Sequence, residues 1–404
     1  MNPPEVSGVG SFIRFEWPEA NVRAVLERVT NHKDKVTAEV TILNLRSDGT
    51  TGHLLMEQMN LLAGRTKAEV ANRLTEKRAD VDWPTLVEQF CVMVIRKIRA
   101  GEPVQKLGGT TTLPPMLWQA QDLLPLKAPV MFFGDGDTGK SVLALGLACC
   151  IQYGLNELGL KVKQDNVLYL DWETDFHDQE RRVLMLQNGF MLQNHPLLSY
   201  RRCHRPLADD IDEIHRLVLE GDIGYLVIDS LGAAAGTELK EAEAALQFYQ
   251  AFRSLDRGGL IIHHMPKDGK GPYGTVYFRN YARSVFEIRK YQEPGDTGIS
   301  IAMRHDKMNN GPKLRPIGWR LEFTQDAITI ERKALKRMPE LAEFADLKGR
   351  IEAELTKGAK LVKDIGANLN SPQSSISTAL GRNPETFIHQ RDGTWGLRAE
   401  EEEK

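Results

Sequence analysis

Phe132–Cys150 reads FFGDGDTGKSVLALGLACC. Inside it, Gly134–Ser141 is GDGDTGKS, which fits G-x-x-x-x-G-K-[ST] at every fixed position. Glycines let a backbone curl until successive N–H groups point inward, and such a nest holds a phosphate. The nest runs through Gly134, Asp135, Gly136, Asp137, Thr138, Gly139, Lys140, Ser141 and Val142. Lys140 carries a positive charge to the terminal phosphates, and the Ser141 hydroxyl is placed to ligate Mg²⁺. The apolar run before the loop, APVMFF, predicts a strand; SVLALGLACCIQYG after it predicts a helix that turns its positive end toward the anion. Asp135 and Asp137 are unusual company for a phosphate. The cradle is made of backbone, so their side chains are expected to point outward.

Hydrolysis of a bound nucleotide needs a held metal ion and an activated water. YLVIDS ends an apolar run at Asp229, which puts a carboxylate at a strand tip as a second Mg²⁺ anchor. NVLYLDWETD supplies Asp171, Glu173 and Asp175. Glu173 is the preferred base for the attacking water, because Asp171 still belongs to the apolar run whereas Glu173 lies just beyond it.

The surrounding chain has 404 residues and a formal net charge of −3. That length predicts two or three domains. No apolar run approaches the roughly 20 residues of a membrane span, and the opening MNPPEVSGVGSF has neither the basic nor the apolar part of a signal peptide. The four cysteines, Cys91, Cys149, Cys150 and Cys203, show no C-x-x-C spacing. Buried, reduced thiols and a cytoplasmic location are the expectation. Residues 1–105 mix strand and helix: KVTAEVTIL alternates as a half-buried strand, and Leu86, Phe90, Val94 and Ile98 recur at helical spacing before Gly101 and Pro103. Residues 116–335 alternate short apolar runs (APVMFF, NVLYLDW, IGYLVIDS, GGLIIHH) with helical stretches, which predicts an α/β fold with a mostly parallel sheet and helices on both faces. Residues 338–398 read as three helices followed by a hairpin turning at Arg391-Asp392-Gly393, the order of a winged helix.

The phosphate loop, Glu173, Asp229 and LIIHHMPKDGKGPYGTVYFRNYARS, in that order, resemble the RecA-like ATPase core and, within it, hexameric replicative helicases of the RepA and DnaB type. The resemblance covers roughly residues 116–335. It implies ATP and Mg²⁺ as cofactors and His264 as a sensor of the terminal phosphate. It also implies a homo-oligomer, with a hexameric ring favoured, and DNA as partner, single-stranded and held by central loops. Lys307 fits the lysine of a Lys-x-Arg-x-Gly-like segment whose cations reach the neighbouring subunit's nucleotide, but Asn309 stands where the arginine is expected. KDGKGPYGTVYFRN offers Lys267, Lys270 and Arg279 for backbone phosphates, with Tyr273 and Tyr277 for base stacking. These features favour a DNA-stimulated motor; a recombinase or recombination mediator, and an ATP-switched DNA-binding regulator, remain as alternatives. No membrane is implied.

Overall fold

A computed structural model describes residues 2–46, 51–101, 104–109, 112–192, 197–236, 238–266, 271–309, 311–335, 338, 341 and 344–398. The chain divides into two compact units. One comprises residues Met1–Met116, Arg205–Gly224 and Gln247–Arg257; the other comprises Leu117–His204, Tyr225–Leu246 and Gly258–Lys404.

In the first unit, β1 (Glu5–Val9), β2 (Phe12–Trp17), β3 (Val22–His32), β4 (Lys35–Leu45) and β5 (Thr51–Asn60) pair in sequence order as an antiparallel meander. Alternation decides the inward face: Val22, Ala24 and Leu26 on β3 and Val36, Ala38, Val40 and Ile42 on β4 are all buried. Helices α1 (Gly64–Lys77) and α2 (Trp83–Ala100) contribute Val70, Leu74, Leu86, Phe90 and Val94 to the same core. Asp82 caps α2 by accepting from the Thr85 N–H, and Gly101 follows its last turn with φ at +61°. The turn between β1 and β2 meets a helix taken up below as α5: Ser11 Oγ donates to Asp212 and lies 3.1 Å from His215 Nδ1.

In the second unit, a short hairpin of β6 (Trp118–Ala120) and β7 (Leu124–Pro125) precedes β8 (Pro129–Gly134), which leads into the phosphate loop and α3 (Lys140–Tyr153). In chain order there follow β9 (Asn166–Asp171), α4 (Phe176–Gly189), β10 (Ser199–Arg202), α5 (Ile211–Glu220), β11 (Ile223–Asp229), α6 (Leu231–Ala234), α7 (Ala242–Ser254), β12 (Gly258–His264) and α8 (Val276–Tyr281), of which α5 and the greater part of α7 belong to the first unit. The strands β13 (Ser284–Tyr291), β14 (Gly298–Met308), β15 (Ile317–Phe323) and β16 (Ile328–Lys333) complete a nine-stranded sheet in the order β10-β9-β11-β12-β8-β13-β14-β15-β16. The pairs β10–β9, β11–β12, β12–β8 and β8–β13 are parallel, and β13 through β16 pair antiparallel. The sheet is therefore mixed: the helix-linked strands read from the sequence make its parallel part, and consecutive hairpins extend it.

One face of this sheet buries Val130, Phe132, Tyr169, Val227 and Ile262 against α3 and α4. Met131, Phe133, Leu168, Leu226 and Ile261, on the opposite pleat, are buried as well, so both faces are covered. All four cysteines are buried and free, and burial pushes the Cys91 and Cys150 thiols up to about 12. No helix among the described residues is long and apolar enough to cross a membrane.

The last elements are α9 (Leu347–Leu355), α10 (Val362–Asn368), α11 (Gln373–Arg382), β17 (Phe387–His389) and β18 (Trp395–Leu397). Ile351, Leu355, Ile365, Ile376, Leu380 and Phe387 form their core. At its edge the nearly buried Glu354 accepts from Lys360, from Asn368 Nδ2 at 2.6 Å and from Lys357 at 3.3 Å. The Lys360 ammonium is the main cause that holds this carboxyl down to about 2. Because that lies below an unfolded glutamate's value of about 4.3, the stabilisation is fully present above that pH and is lost as pH falls through about 2. Glu354→Gln is therefore expected to weaken this segment at neutral pH and to flatten its response to acid between those values. Amide exchange across residues 347–382 as a function of pH measures both effects.

Candidate nucleotide site

Every element of the site sits at the carboxyl end of a parallel strand, where open α/β sheets leave a crevice. The strand β12 lies between β8 and β11, and His264 is in register with Gly134. The first loop glycine and the last strand histidine are thus neighbours. The close approach of β13 explains why Gly134 must be glycine: a Cβ there would stand 2.3 Å from the Ile288 carbonyl oxygen. At Gly139, φ is +78°, and a Cβ would meet the Ile299 and Ile301 side chains at 2.7 and 2.8 Å. Strands of the antiparallel extension thereby fix the shape of the loop.

Gly139 is the N-cap of α3, and Lys140 opens the helix with its side chain folded into the loop. The buried ammonium donates to the carbonyls of Gly134 (3.1 Å) and Asp135, and to Thr138 Oγ1 (3.0 Å). Thr138 in turn donates to the Asp135 carbonyl at 3.0 Å. Burial lowers the Lys140 ammonium to about 8, opposed by the charges of Asp229, Glu173, Asp135 and Asp137. Gly136 faces open space, and Ser141 and Val142 are half-buried on the first turn of α3.

Asp229 is buried at the end of β11. Its Oδ2 accepts from the Tyr169 hydroxyl at 2.7 Å, whereas Oδ1 has no hydrogen-bond partner among the described residues. Burial raises this carboxyl to about 6, against the opposing pull of the Tyr169 and Ser141 hydroxyls. An orphaned buried carboxylate oxygen, with a serine hydroxyl beside the same group, is a donor set that fits Mg²⁺. Ser141 and Asp229 are the residues that would hold it, and Lys140 and the loop N–H groups the ones that would hold a triphosphate.

Glu173 lies two residues past β9. The sequence reading separates it from Asp171, and the structure shows the physical difference. Asp171 is buried and occupied: Oδ1 accepts from the N–H groups of Glu173 (2.8 Å) and Thr174 (2.9 Å), and Oδ2 from Gln179 Nε2 (2.7 Å). It shapes the turn that presents Glu173. Asp175 is spent as the N-cap of α4. Glu173 Oε1 accepts from Ser230 Oγ and from His264 Nε2, the latter at 3.0 Å. The hydrogen bond from His264 is the main cause that holds the Glu173 carboxyl below its usual range.

The two histidines divide their work. His264 is partly exposed and faces Glu173, whereas His263 is buried and bonds the Tyr273 carbonyl at 2.7 Å. Burial lowers His263 to about 4, which keeps it neutral. Tyr273 N also donates to the His264 carbonyl, so the chain after β12 returns onto the strand end. Tyr273 and Tyr277 are exposed, and Tyr277 stacks on Tyr281 at 6.1 Å. Arg279 is drawn into an ion pair with Asp306 at 2.7 Å. Lys267 and Lys270 lie outside the described residues.

Lys307 is not brought to the phosphate loop of its own chain. It sits on β14 opposite Val285, and its ammonium donates to the carbonyls of Arg279 (3.0 Å), Asn280 (2.7 Å) and Ala282 (2.5 Å). A cation at those carbonyls closes the end of α8. Sequence reasoning missed Tyr169, Ser230 and Lys290. Tyr169 carried a signal, since a tyrosine inside a buried strand needs a hydroxyl partner. Ser230 is set next to Asp229 by the chain itself. Lys290 Nζ donates to Asp137 Oδ2 across 153 residues of sequence, which no local pattern announces.

A family model described as "AAA domain" matches residues 99–270, the span that holds the loop, Glu173, Asp229 and both histidines. Among solved structures, a KaiC-like protein, PH0186, from the hyperthermophilic archaeon Pyrococcus horikoshii OT3 is similar at 16% identity. That match covers 52% of this chain and 93% of the other, with a TM-score of 0.39. No curated protein matches the chain. The family match and the arrangement of the loop, carboxylates and histidine support a P-loop nucleotide-binding ATPase.

A folded-state value above that of the unfolded aspartate means that the charged form of Asp229 opposes folding at neutral pH. Asp229→Asn is therefore expected to raise the melting temperature of the nucleotide-free protein at about pH 7.5, by a few degrees, while removing the stabilisation that Mg²⁺ adds to bound nucleotide. Thermal melts with and without MgATP read both.

Proposed function

We propose that the chain is an ATP-driven motor on DNA, of the replicative-helicase type, working as a homo-oligomer with a hexameric ring favoured. The observation that carries this reading is the histidine pair. His264 touches Glu173 at 3.0 Å, and His263, next in the chain, holds the Tyr273 carbonyl at 2.7 Å. One strand end therefore connects the group that would activate water to the segment bearing exposed Tyr273 and Tyr277. The occupant of the phosphate loop would bear on His264, and a polynucleotide on the tyrosines; the rigid end of β12 lies between them.

In this mechanism the loop N–H groups and Lys140 bind the phosphates, while Asp229 and Ser141 orient the metal. Bound Mg²⁺ supplies charge neutralisation at the terminal phosphates. Glu173 takes a proton from the attacking water on Oε2, while Ser230 and His264 hold Oε1 and orient the carboxylate. Lys307 reaches a neighbouring subunit's nucleotide only by giving up the carbonyls at the end of α8, so the same exchange would couple subunit contact to the position of that helix. The α9–α11 segment with the β17–β18 hairpin is read as a winged helix, which presents Ser374, Ser375, Ser377 and Arg382 along α11.

Lys140→Ala is expected to weaken nucleotide binding at least tenfold, roughly. Glu173→Gln should retain binding and lose phosphate release by about a hundredfold or more. Single-stranded DNA should stimulate the wild type. Electron microscopy with a non-hydrolysable ATP analogue, with and without single-stranded DNA, tests the assembly: closed rings support the motor, filaments replace it with a recombinase. Turnover by Glu173→Gln at the wild-type rate would remove Glu173 as the base.

A further inference from the structure

The aspartate at the lip of the phosphate loop has a dedicated partner. Asp137 lies two residues ahead of Gly139, with φ at +59°, a left-handed conformation that Asp and Asn accept more readily than most residues. Its side chain is 93% exposed, so burial does not explain it. Its charge nonetheless reaches the site, since it is among those that act on the Lys140 ammonium. Lys290 Nζ donates to Asp137 Oδ2. Lys290 comes from β13, which runs parallel to β8 and passes Gly134 closely enough for the Ile288 carbonyl to exclude a side chain there. Two residues further on, Lys290 lies past Glu287, the last residue paired with β8, and is still paired with Ile301 of β14. On β13 and in the turn after it the acids have other partners: Glu287 pairs with Arg289 and Arg304, Glu293 with Tyr291, and Asp296 with Arg320. Among the described residues, Asp137 is the carboxylate that Lys290 pairs with.

A carboxylate at the mouth of an anion site repels the incoming polyphosphate, and an ammonium on the same carboxylate cancels that field at the distances involved. We propose that Lys290 belongs to the nucleotide-binding site, where it neutralises Asp137 so that a polyphosphate can enter a loop that carries its own negative charge. The inference rests on the loop being the nucleotide site, and it adds a residue from β13, the strand flanking β8 on the side away from β12, that no phosphate-loop pattern contains.

The test is a double-mutant cycle on the full chain, read by fluorescence titration with Mg²⁺ and a fluorescent ATP analogue. At about 50 mM salt, Lys290→Ala is expected to bind on the order of tenfold more weakly than wild type, and the gap should narrow at about 500 mM salt. Asp137→Asn should bind more tightly than wild type. The double variant should recover at least wild-type affinity, because the charge that Lys290 cancels is gone. Lys290→Ala binding as well as wild type at low salt overturns the inference. So does a double variant as weak as Lys290→Ala, since Lys290 would then act on the ligand or the fold and not through Asp137. Melting temperatures of the three variants show whether any is misfolded; Asp137 is at the surface and Lys290 is partly exposed. The Lys140→Ala variant separates the two levels. If wild type binds and Lys140→Ala does not, while Lys290→Ala is unaffected, the Lys290 inference alone fails. If wild type binds no nucleotide, the reading of the loop fails and takes this one with it.

Discussion

The carboxylate of Asp229 is buried at the end of a central strand, with one oxygen held by the Tyr169 hydroxyl and the other without a partner among the described residues. Such a group is costly: removing a charge from water disfavours the fold unless something offsets it. The rest of the site can be understood as what surrounds that cost. Lys140 lies close enough for the two charges to act on each other, and the Ser141 hydroxyl pulls the same carboxyl in the opposite direction to burial. A cation brought in with a nucleotide would offset what remains. The sheet order makes this possible, because β12 lies between β8 and β11 and sets the loop and the carboxylate at the same end of the sheet, one strand apart.

The same order explains the two histidines. In a strand, successive side chains point to opposite faces. At the end of β12 this sends His263 into the apolar interior, against Phe278 with ring centroids 5.9 Å apart, and His264 toward Glu173. The neutrality of His263, enforced by burial, leaves it as a fixed hydrogen-bonding group between β12 and the segment that follows. His264, partly exposed, is the one that can exchange partners.

What could be read in the sequence follows the range of the interactions. The phosphate loop is contiguous, so its eight residues carry their own meaning. Strand ends marked by Asp229 and Glu173 are legible because an apolar run stops there, and chain order alone separates Glu173 from Asp171. The antiparallel extension is legible as strands, and β13 through β16 occur where the apolar runs lie. Of the first unit's meander the sequence reading names only β4, whose alternation is long; β1 and β2 are short, β3 alternates only over its first half, and β5 buries few of its residues. Contacts that join distant segments leave no local trace. Tyr169 with Asp229, Ser230 with Glu173 and Lys290 with Asp137 all depend on strand order, and strand order is set by the packing of the whole sheet. Lys307 shows the converse: its place in a family-like segment is visible, while its contacts with three carbonyls at the end of α8 are not.

The balance of charge around the loop bears on which form of ligand the site prefers. Four carboxylates, those of Asp229, Glu173, Asp135 and Asp137, act on the single ammonium of Lys140. Against a free polyphosphate their fields are repulsive, and at a few ångströms each repulsion is worth about 1 kcal/mol even at the dielectric constant of water. The backbone N–H groups of the loop and the positive end of α3 provide attraction, but both fall off within a turn of helix. A polyphosphate that arrives already complexed with a divalent cation has much of its charge cancelled, and it also brings the partner that Asp229 Oδ1 lacks. The acidity of GDGDTGKS is then compatible with phosphate binding on two conditions: Asp137 is paired, as Lys290 pairs it, and the ligand carries its metal with it.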